Sequence, residues 1–306
     1  MPIALSITDS RTWFRANATL MGTTAEVLVD GTADQLAAGF RRLRALESTW
    51  SRFQPDSELN TLHRRAGTWT NVSDDLLRAL VWAHRMARET GGLFDPSIRR
   101  ALETLGYDRS YLTGLDSDNA AGGVVAAPGL AGLEIDRLNH RARLAPGLSI
   151  DLGGIGKGLA VDIVATELVA DGARSAFVSL GGDIHACGEP AEGGGWPVPL
   201  IHPVTGRTLG VHHLSGGGLV MSTTKLRTWR RGARTMHHII DPRTGEPSGT
   251  DVIAVAVAAA SAARAEALAK AAILLGSTNG RVLLAEAGVT AWVITDDSVL
   301  TVEVPA

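Results

Sequence analysis

Apolar residues recur along the chain with two different periods, and these periods predict its helices and strands. Helical spacing of apolar positions predicts helices over residues 33–51, 76–90, 159–169, 262–275 and 280–287. Alternating or β-branched runs predict strands over residues 18–29, 175–180, 198–202, 208–214, 218–223 and 252–257, with hairpins over 133–144 and between 291–295 and 300–304. A strand-like apolar run also covers 144–150, whereas 107–132 predicts an irregular connection or a short helix with a loop.

The order of these elements predicts an α+β fold. Strands and helices come in clusters rather than in strict alternation, which argues against a doubly wound parallel sheet. We expect a mixed, largely antiparallel sheet with flanking helices, built from residues 1–306 as a single domain. Ser261 is expected to cap the helix that begins at residue 262, and Gly276 to end it.

The composition of the chain limits which partners it is expected to bind and in which compartment it is expected to lie. The formal net charge is −3, with no basic excess of the kind that binds nucleic acid. No apolar run approaches the roughly 18–20 residues of a membrane span, so we expect no membrane insertion. Cys187 is the sole cysteine, which excludes an intrachain disulfide and is compatible with a reducing compartment. The first fifteen residues lack the features of a signal peptide, and we expect a cytoplasmic protein.

A glycine-rich segment over residues 150–162, with the sequence IDLGGIGKGLAVD, is the strongest indication of chemistry. Asp151 and Lys157 lie among four glycines, between an apolar run and an amphipathic one. Glycine lets the main chain approach a ligand closely, and free N–H groups at the start of a helix favour anions. The segment therefore predicts a site for a phosphate-bearing ligand. A tight turn without a ligand is the alternative, because neither the dinucleotide fingerprint nor the P-loop pattern is present.

Other short segments combine polar chemistry with turn residues. Asp95 precedes a proline, which favours an extended backbone beside Phe94. Residues 179–184 predict a strand that ends in paired glycines and an acid. Taken alone, each of these two segments is more often a simple turn. Residues 222–231 combine hydroxyls with arginines and would suit either a phosphate or a solvated loop.

Two adjacent histidines precede the turn sequence DPRTG at residues 241–245. Neighbouring side chains on a strand point to opposite faces. At most one of the two, His237 or His238, therefore faces a given site. Histidine is the side chain best suited to act as a general base near neutral pH. A structural histidine is the alternative. No zinc-binding spacing occurs in the sequence.

Taken together and in order, these segments resemble the ApbE family of FAD:protein FMN transferases. The resemblance runs from about Met21 to Gly276, within a motif-bearing region of about 18–276. The matching motifs are MGT at 21–23, WSRF with DSEL within 50–59, FDPS at 94–97, the glycine loop at 151–158, LGGDI at 180–184 and HHIIDPRTG at 237–245. Each motif is weakly specific, but their shared order makes the assignment strong.

The resemblance implies a cleft between two lobes in which FAD binds. It implies transfer of the FMN half of FAD, with release of AMP, to a serine or threonine hydroxyl of an acceptor flavoprotein. His238, or less favourably His237, would take the proton of that hydroxyl. The resemblance assigns the following residues to FAD binding: Met21, Phe53, Leu93, Phe94, Asp95, Asp151, Gly153, Gly154, Lys157, Ile239 and Asp241.

The sequence departs from the family at the magnesium site. The resemblance implies one ligand from a main-chain carbonyl, here Gly154, and two from an Asp-x-x-x-Thr pattern, whose positions hold Glu266 and Lys270. A protonated ammonium cannot ligate a metal. Three outcomes stay open: Mg²⁺ bound through Glu266 and Gly154 with added water, a positive charge supplied by Lys270 in place of the metal, or an exposed Glu–Lys helix pair. A flavin-binding protein without transferase activity, or a hydrolase giving FMN and AMP, are the alternative functions.

Overall fold

The structure, a computed structural model, describes residues 3–6, 12–117 and 123–303. Its helices are α1 (Ala33–Trp50), α2 (Glu58–Arg64), α3 (Asp74–Glu89), α4 (Arg99–Thr104), α5 (Gly156–Ala170) and α6 (Ala262–Glu286). Its strands are β1 (Ile3–Ser6), β2 (Thr12–Leu20), β3 (Thr23–Asp30), β4 (Thr70–Asn71), β5 (Leu133–Asp136), β6 (Arg141–Leu144), β7 (Ser175–Leu180), β8 (Asp183–Cys187), β9 (Trp196–Ile201), β10 (Thr208–Leu214), β11 (Gly217–Thr223), β12 (Thr228–Arg231), β13 (Arg234–His237), β14 (Val252–Ala259), β15 (Thr290–Thr295) and β16 (Val299–Val302).

Nine strands form one sheet in the order β1-β2-β3-β7-β8-β11-β14-β15-β16. Every pairing between these strands is antiparallel, so the parallel pairings of a mixed sheet do not occur among them. Three smaller sheets pair β9 with β10, β12 with β13, and β4 and β5 with β6. The α+β class is confirmed. The single domain of two lobes stays a prediction.

The main core lies between the large sheet and helices α1, α5 and α6. Leu43 and Leu46 of α1 have no exposed surface, and Val164 of α5 has almost none. Burying one such leucine stabilises a fold by roughly 1.5–3 kcal/mol. A second cluster, which includes Trp13 and Trp196, lies where the β9–β10 hairpin packs on strands of the nine-stranded sheet. None of the helices within the described ranges has the length and apolar character that a membrane span requires.

Residues 18–29 are not one strand, as the alternation predicted, but parts of the β2–β3 hairpin. Met21 and Gly22 form its turn, with φ of 51° and 68°. Glycine adopts such a backbone readily, whereas methionine does so at a cost in strain. The strand is interrupted because these two residues reverse the chain.

The predicted strand-like run at 144–150 is also wrong beyond Leu144, where β6 ends. Leu148 and Ile150 are buried, but the main-chain N–H of Ile150 donates to Nε2 of His63 at 3.0 Å and that of Leu148 to the carbonyl of Ala145. Apolar residues here reflect burial of a loop rather than strand pairing. The helix predicted from residue 159 begins earlier, at Gly156, so the glycine loop itself supplies the first turn of α5.

The remaining predictions of helices and strands are largely confirmed. Ser261 caps α6, with its Oγ accepting from the N–H of Arg264 at 3.3 Å. Gly276, with φ of 78°, breaks the helix between the two predicted segments. The 133–144 hairpin forms as β5 and β6, and the closing hairpin as β15 and β16. Residue 304 of that hairpin and residues 118–122 of the predicted irregular connection lie outside the described residues.

Candidate active site

A cavity of about 810 Å³ opens at one end of the large sheet. The β2–β3 turn, the loop between β7 and β8, and the end of β11 all contribute to its wall. The first turn of α5 and the middle of α6 close it from the helical side. Antiparallel pairing places these turns and strand ends together, although they are far apart in sequence.

Most of the predicted site residues line this cavity. They are Met21, Phe53, Leu93, Phe94, Asp95, Asp151, Gly153, Gly154, Lys157, His238, Ile239, Glu266 and Lys270. His237 and Asp241 do not line it. The carboxylate of Asp241 instead binds Arg243 within the turn that follows, at 2.6 Å between Oδ2 and Nη2. This finding argues against a direct contact between Asp241 and the ligand.

Asp151 shapes the glycine loop. Its Oδ1 accepts a hydrogen bond from the N–H of Gly153 at 2.8 Å, and its own N–H donates to the carbonyl of Pro96 at 2.7 Å. Its Oδ2 lies 3.1 Å from Nε of Arg52. The loop is therefore held open from three sides, with the main chain of Gly153 and Gly154 facing the cavity.

Gly158 allows the starts of α5 and α6 to touch. A Cβ at this position would lie 2.6 Å from the carbonyl oxygen of Ala262, which is main chain and cannot move aside. The N–H of Gly158 donates to Oε2 of Glu266 at 2.9 Å. The fourth glycine of the loop thus fixes α6 against α5, which brings Glu266 and Lys270 to the cavity floor.

A cluster of opposite charges lies on this floor. Nζ of Lys157 contacts Oδ2 of Asp183 and lies 2.9 Å from Oε1 of Glu266. Nζ of Lys270 lies 3.0 Å from the same Oε1. The Glu266 side chain is 1% exposed, so the simple exposed Glu–Lys pair considered from the sequence is wrong. Two ammonium groups share one buried carboxylate oxygen.

Burial and neighbouring charges together set the pKa values of this cluster. Burial alone would raise the pKa of Glu266, but Lys157 and Lys270 lower it to about 2. Burial opposes the charged form of Lys157, yet Asp183 and Glu266 raise its pKa. Burial lowers the pKa of Lys270 in spite of Glu266. For Asp183, burial and the charge of Glu266 raise the pKa. Of the two carboxylates, Glu266 is therefore the more firmly ionised.

The two histidines have different surroundings. Nε2 of His237 lies 3.0 Å from the carbonyl of Ser248, and its Nδ1 accepts from the N–H of Ile239 at 3.3 Å. His238 lines the cavity, and its buried Nδ1 has no hydrogen-bond partner among the residues that the structure describes. Burial and then the charges of Arg227 and Lys270 lower the pKa of His238 well below its usual value. His237 is a satisfied structural residue, whereas His238 is a neutral imidazole at the cavity wall.

Aromatic rings lie at the mouth of the cavity. Phe53 is 38% exposed, and its ring centroid lies 5.8 Å from that of Tyr107. The guanidinium of Arg52 lies 4.1 Å from the Phe53 centroid and 4.8 Å from that of Tyr107. Tyr107 is buried, so of these two rings it is Phe53 that offers an accessible face on which a planar ring system can stack.

Comparison with known proteins identifies the family. The ApbE family model matches residues 21–293. The chain belongs to the ApbE family. A relative named FAD:protein FMN transferase, from Treponema pallidum (strain Nichols), is 32% identical over 274 residues, covering 81% of this chain and 73% of the relative. A Rhodobacter capsulatus protein of the same name is 29% identical and covers 91% of this chain, but the match spans about half of that longer relative, 54%.

Solved ApbE structures share the fold. The ApbE protein of Thermotoga maritima matches with a TM-score of 0.83 at 22% identity, covering 95% of this chain and 97% of that one. The flavin transferase ApbE of Vibrio cholerae matches with a TM-score of 0.78 at 23% identity, with the same coverage. At these identities the likeness establishes the fold.

The side chains at the magnesium site expected for an ApbE protein do not suit that ion. Magnesium takes near-octahedral oxygen ligands. Both oxygens of Glu266 already bind donors of this chain, and the ammonium of Lys270 occupies the place of a hydroxyl ligand. Throughout the described residues, no group of three His, Cys, Asp or Glu side chains is placed to hold a metal ion. Two ammonium groups would also repel a cation at Oε1.

Sequence reasoning missed some cavity residues of this ApbE chain. Arg52 and Tyr107 line the cavity, as do Asp183 and Arg227. Asp183 belongs to the LGGDI motif, and its position after paired glycines was a usable signal. Arg227 belongs to the segment 222–231, which the sequence offered either as a phosphate site or as a solvated loop. Its φ of 50° is the kind of strained backbone that collects at functional sites, but strain is invisible in a sequence. Arg52 follows Ser51 directly after α1, and only the fold reveals that it reaches the glycine loop.

Proposed function

We propose that this protein transfers the FMN moiety of FAD to a serine or threonine hydroxyl of an acceptor flavoprotein and releases AMP. One observation carries the proposal. In a chain of the ApbE family, whose cited relatives are named FAD:protein FMN transferases, a single cavity combines an open glycine loop, a cationic floor and the neutral His238. Phosphoryl-type transfer depends mostly on positioning and charge neutralisation, and the cavity offers groups suited to both.

The proposed step conserves atoms and charge. The acceptor hydroxyl oxygen forms a bond to the phosphorus of the FMN half, and the bond from that phosphorus to the bridging oxygen breaks. AMP departs with the bridging oxygen. The hydroxyl proton passes to the imidazole of His238, which is neutral at pH 7 because its pKa lies below its usual value. The ammonium groups of Lys157 and Lys270 lie where they would neutralise the negative charge of the diphosphate.

The binding roles follow the lining of the cavity. Phe53 and Phe94 offer rings to the flavin or the adenine, and Met21 lies where a flavin would pack. The main chain of Gly153 and Gly154 would approach the diphosphate. The acceptor protein is proposed from the chemistry alone, and we further propose a cytoplasmic setting, which the single cysteine favours.

Incubation with FAD and an acceptor domain tests the transfer. The expected products are covalent flavin on the acceptor, detected by fluorescence in a denaturing gel and by mass, and an equal amount of AMP. Absence of both products, with and without added Mg²⁺, would refute transfer to that acceptor. Release of FMN and AMP without an acceptor would instead indicate hydrolysis.

A flavin-binding protein without transfer is the second candidate. The observation that favours it is the pairing of Lys270 with Glu266, because this pair replaces the ligands expected for magnesium. The double variant Glu266→Asp with Lys270→Thr discriminates between the two functions. If transfer appears only in this variant and only with Mg²⁺, the natural chain is a binder.

A further inference from the structure

Lysine is rare in this chain, and its placement is selective. The chain has three lysines, and two of them, Lys157 and Lys270, converge on one oxygen of Glu266. Apart from the exposed Lys225, the other Lys/Arg positions of the sequence are arginines. The lysine ammonium is a compact point charge, unlike the broad planar fork of arginine. Such a compact charge suits a narrow space beside a main-chain loop.

The side chain of Lys270 lies against the glycine loop. A Cβ built at Gly154 would lie 3.6 Å from Cε of Lys270 and 3.8 Å from its Cδ. The ammonium is therefore held between the loop and α6, near the Lys157 ammonium with which it shares Oε1 of Glu266. The Lys270 side chain is 15% exposed, so its charge is shielded from bulk water but open to the cavity.

The cluster retains a positive excess. Lys157, Arg227 and Lys270 face the carboxylates of Asp183 and Glu266. Arg227 lines the same cavity and acts electrostatically on both Lys157 and His238. Within this floor cluster, three cations face two carboxylates. The other acids that line the cavity have partners of their own: Asp151 pairs with Arg52, and Glu47 and Asp95 accept hydrogen bonds from main-chain N–H groups. The carboxylates hold the cations in place, and the excess attracts the ligand.

We infer that this cavity binds the diphosphate of FAD with the ammonium groups of Lys270 and Lys157 instead of a divalent cation. The inference rests on the proposed function, since it names how that same site holds its substrate. It follows from the two ammonium groups on Oε1 of Glu266, from the N–H of Gly158 on Oε2, and from the stem of Lys270 beside Gly154. Lys270 is the residue on which binding without metal depends.

FAD binding in excess EDTA and in excess MgCl₂ tests the inference, with quenching of flavin fluorescence as the readout. The natural chain is expected to bind FAD equally well in both. Lys270→Met should weaken binding in EDTA by about tenfold or more, as for loss of one charge-assisted hydrogen bond. Lys225→Met is the matched control, because it removes the same charge at an exposed lysine outside the cavity.

The outcomes separate this inference from the proposed function. Binding of FAD by the natural chain only in the presence of Mg²⁺ would overturn the inference and leave the proposed transfer intact. No binding under either condition would overturn both. Equal losses in Lys270→Met and Lys225→Met would also overturn the inference. Should Lys270→Met fail to fold, as judged by thermal melting, the comparison of EDTA with Mg²⁺ on the natural chain still decides.

Discussion

Oδ1 of Asp162, on α5, lies 2.5 Å from Nδ1 of His185, on β8. The same carboxylate accepts hydrogen bonds from Oγ of Ser261 at 2.6 Å and from the N–H groups of Ala262 and Ala263 at 2.7 and 3.0 Å. A carboxylate at a helix N-terminus satisfies orphan donors and interacts well with the helix dipole. Asp162 therefore links the sheet to the start of α6, the helix that carries Glu266 and Lys270.

This pair predicts a pH-dependent stability. Burial alone would lower the pKa of His185, but its interactions with Asp162 and, next, Cys187 raise it to about 9. Since the unfolded value is about 6.5, the stabilisation is fully present below pH 6.5 and is lost as the pH rises through about 9. His185→Gln should lower the free energy of unfolding by about 3 kcal/mol at most, with the difference from the natural chain greatest at low pH. Urea unfolding between pH 6 and 10 measures this.

A matched histidine provides the control. His213→Gln removes an exposed imidazole from β10, and we expect its free energy of unfolding to stay close to that of the natural chain at each pH. A difference between the natural chain and His185→Gln that stays constant from pH 6 to 10 would contradict the assigned ion pair.

We expect substitutions at the two adjacent histidines to have different effects, one on activity and the other on stability. His238→Asn should lower the rate of FMN transfer by about 10²–10⁴-fold, as for loss of a general base, with little change in FAD affinity. His237→Asn should instead lower the free energy of unfolding by about 1–2 kcal/mol, because the carbonyl of Ser248 and the N–H of Ile239 lose a partner.

Rates and melting curves of both variants check this division. Because the pKa of His238 lies below its usual 6.5, the imidazole stays neutral on acidification, and transfer by the natural chain should persist from pH 8 down to about pH 6. If both variants lose the same fraction of activity per folded molecule, the assignment of the base to His238 is wrong.

The sequence predicted the site well where chemistry depends on short motifs, and less well where it depends on distant contacts. The glycine loop and the histidine pair were recognisable because their residue types are demanding. The sequence did not decide which of the two histidines faces the cavity, because β13 ends at His237 and His238 lies just beyond it. Arg52, at one end of α1, reaches Asp151 only through the fold. Such pairings carry no local pattern.

The predicted elements were wrong where burial and turns imitate the patterns of other structures. The run at 144–150 is apolar because Leu148 and Ile150 are buried in a loop, and burial looks alike in loops and strands. Strand β8 was not predicted, because the pattern at 179–184 predicted a strand that ends at Gly181, Gly182 and Asp183. The apolar faces of α1 and α3 were predictable because one side of each packs on the core.

A substitution at Gly154 tests whether the ligand approaches the glycine loop closely. A Cβ there would lie 3.0 Å from Cε2 of Phe94, a contact that forces the ring or the Lys270 stem to shift into the cavity. Gly154→Ala should therefore weaken FAD binding by about tenfold while lowering the free energy of unfolding by about 1 kcal/mol or less. Titration of FAD and urea unfolding measure the two effects.

The control for this substitution is Gly249→Ala. Gly249 is exposed and has no positive φ, and within the described part of the chain no atom lies within 4 Å of a Cβ added there. Its FAD affinity and its stability should match those of the natural chain. An unchanged affinity in Gly154→Ala would mean that the ligand does not approach this part of the loop.

A comparison of Arg52 with Arg143 tests how burial changes the contribution of an ion pair to the free energy of unfolding. Each guanidinium lies near a carboxylate and over an aromatic ring, Arg52 beside Asp151 and Phe53, and Arg143 beside Glu134 and Trp69. The side chain of Arg52 is 3% exposed, however, and that of Arg143 is 36% exposed. Exposed pairs contribute about 0–1 kcal/mol, whereas breaking a buried pair costs about 3–5 kcal/mol, because a charge is left without compensation.

Arg52→Leu should therefore lower the free energy of unfolding by about 3 kcal/mol, and Arg143→Leu by less than about 1 kcal/mol. Arg52→Leu also removes the donor of the 2.7 Å bond to the carbonyl of Tyr107 and frees Asp151, whose Oδ1 orders the loop N–H of Gly153. FAD binding should weaken in this variant alone. Urea unfolding and FAD titration of both variants measure these effects. Comparable losses of unfolding free energy in the two variants would show that burial does not govern the energetics of these two ion pairs.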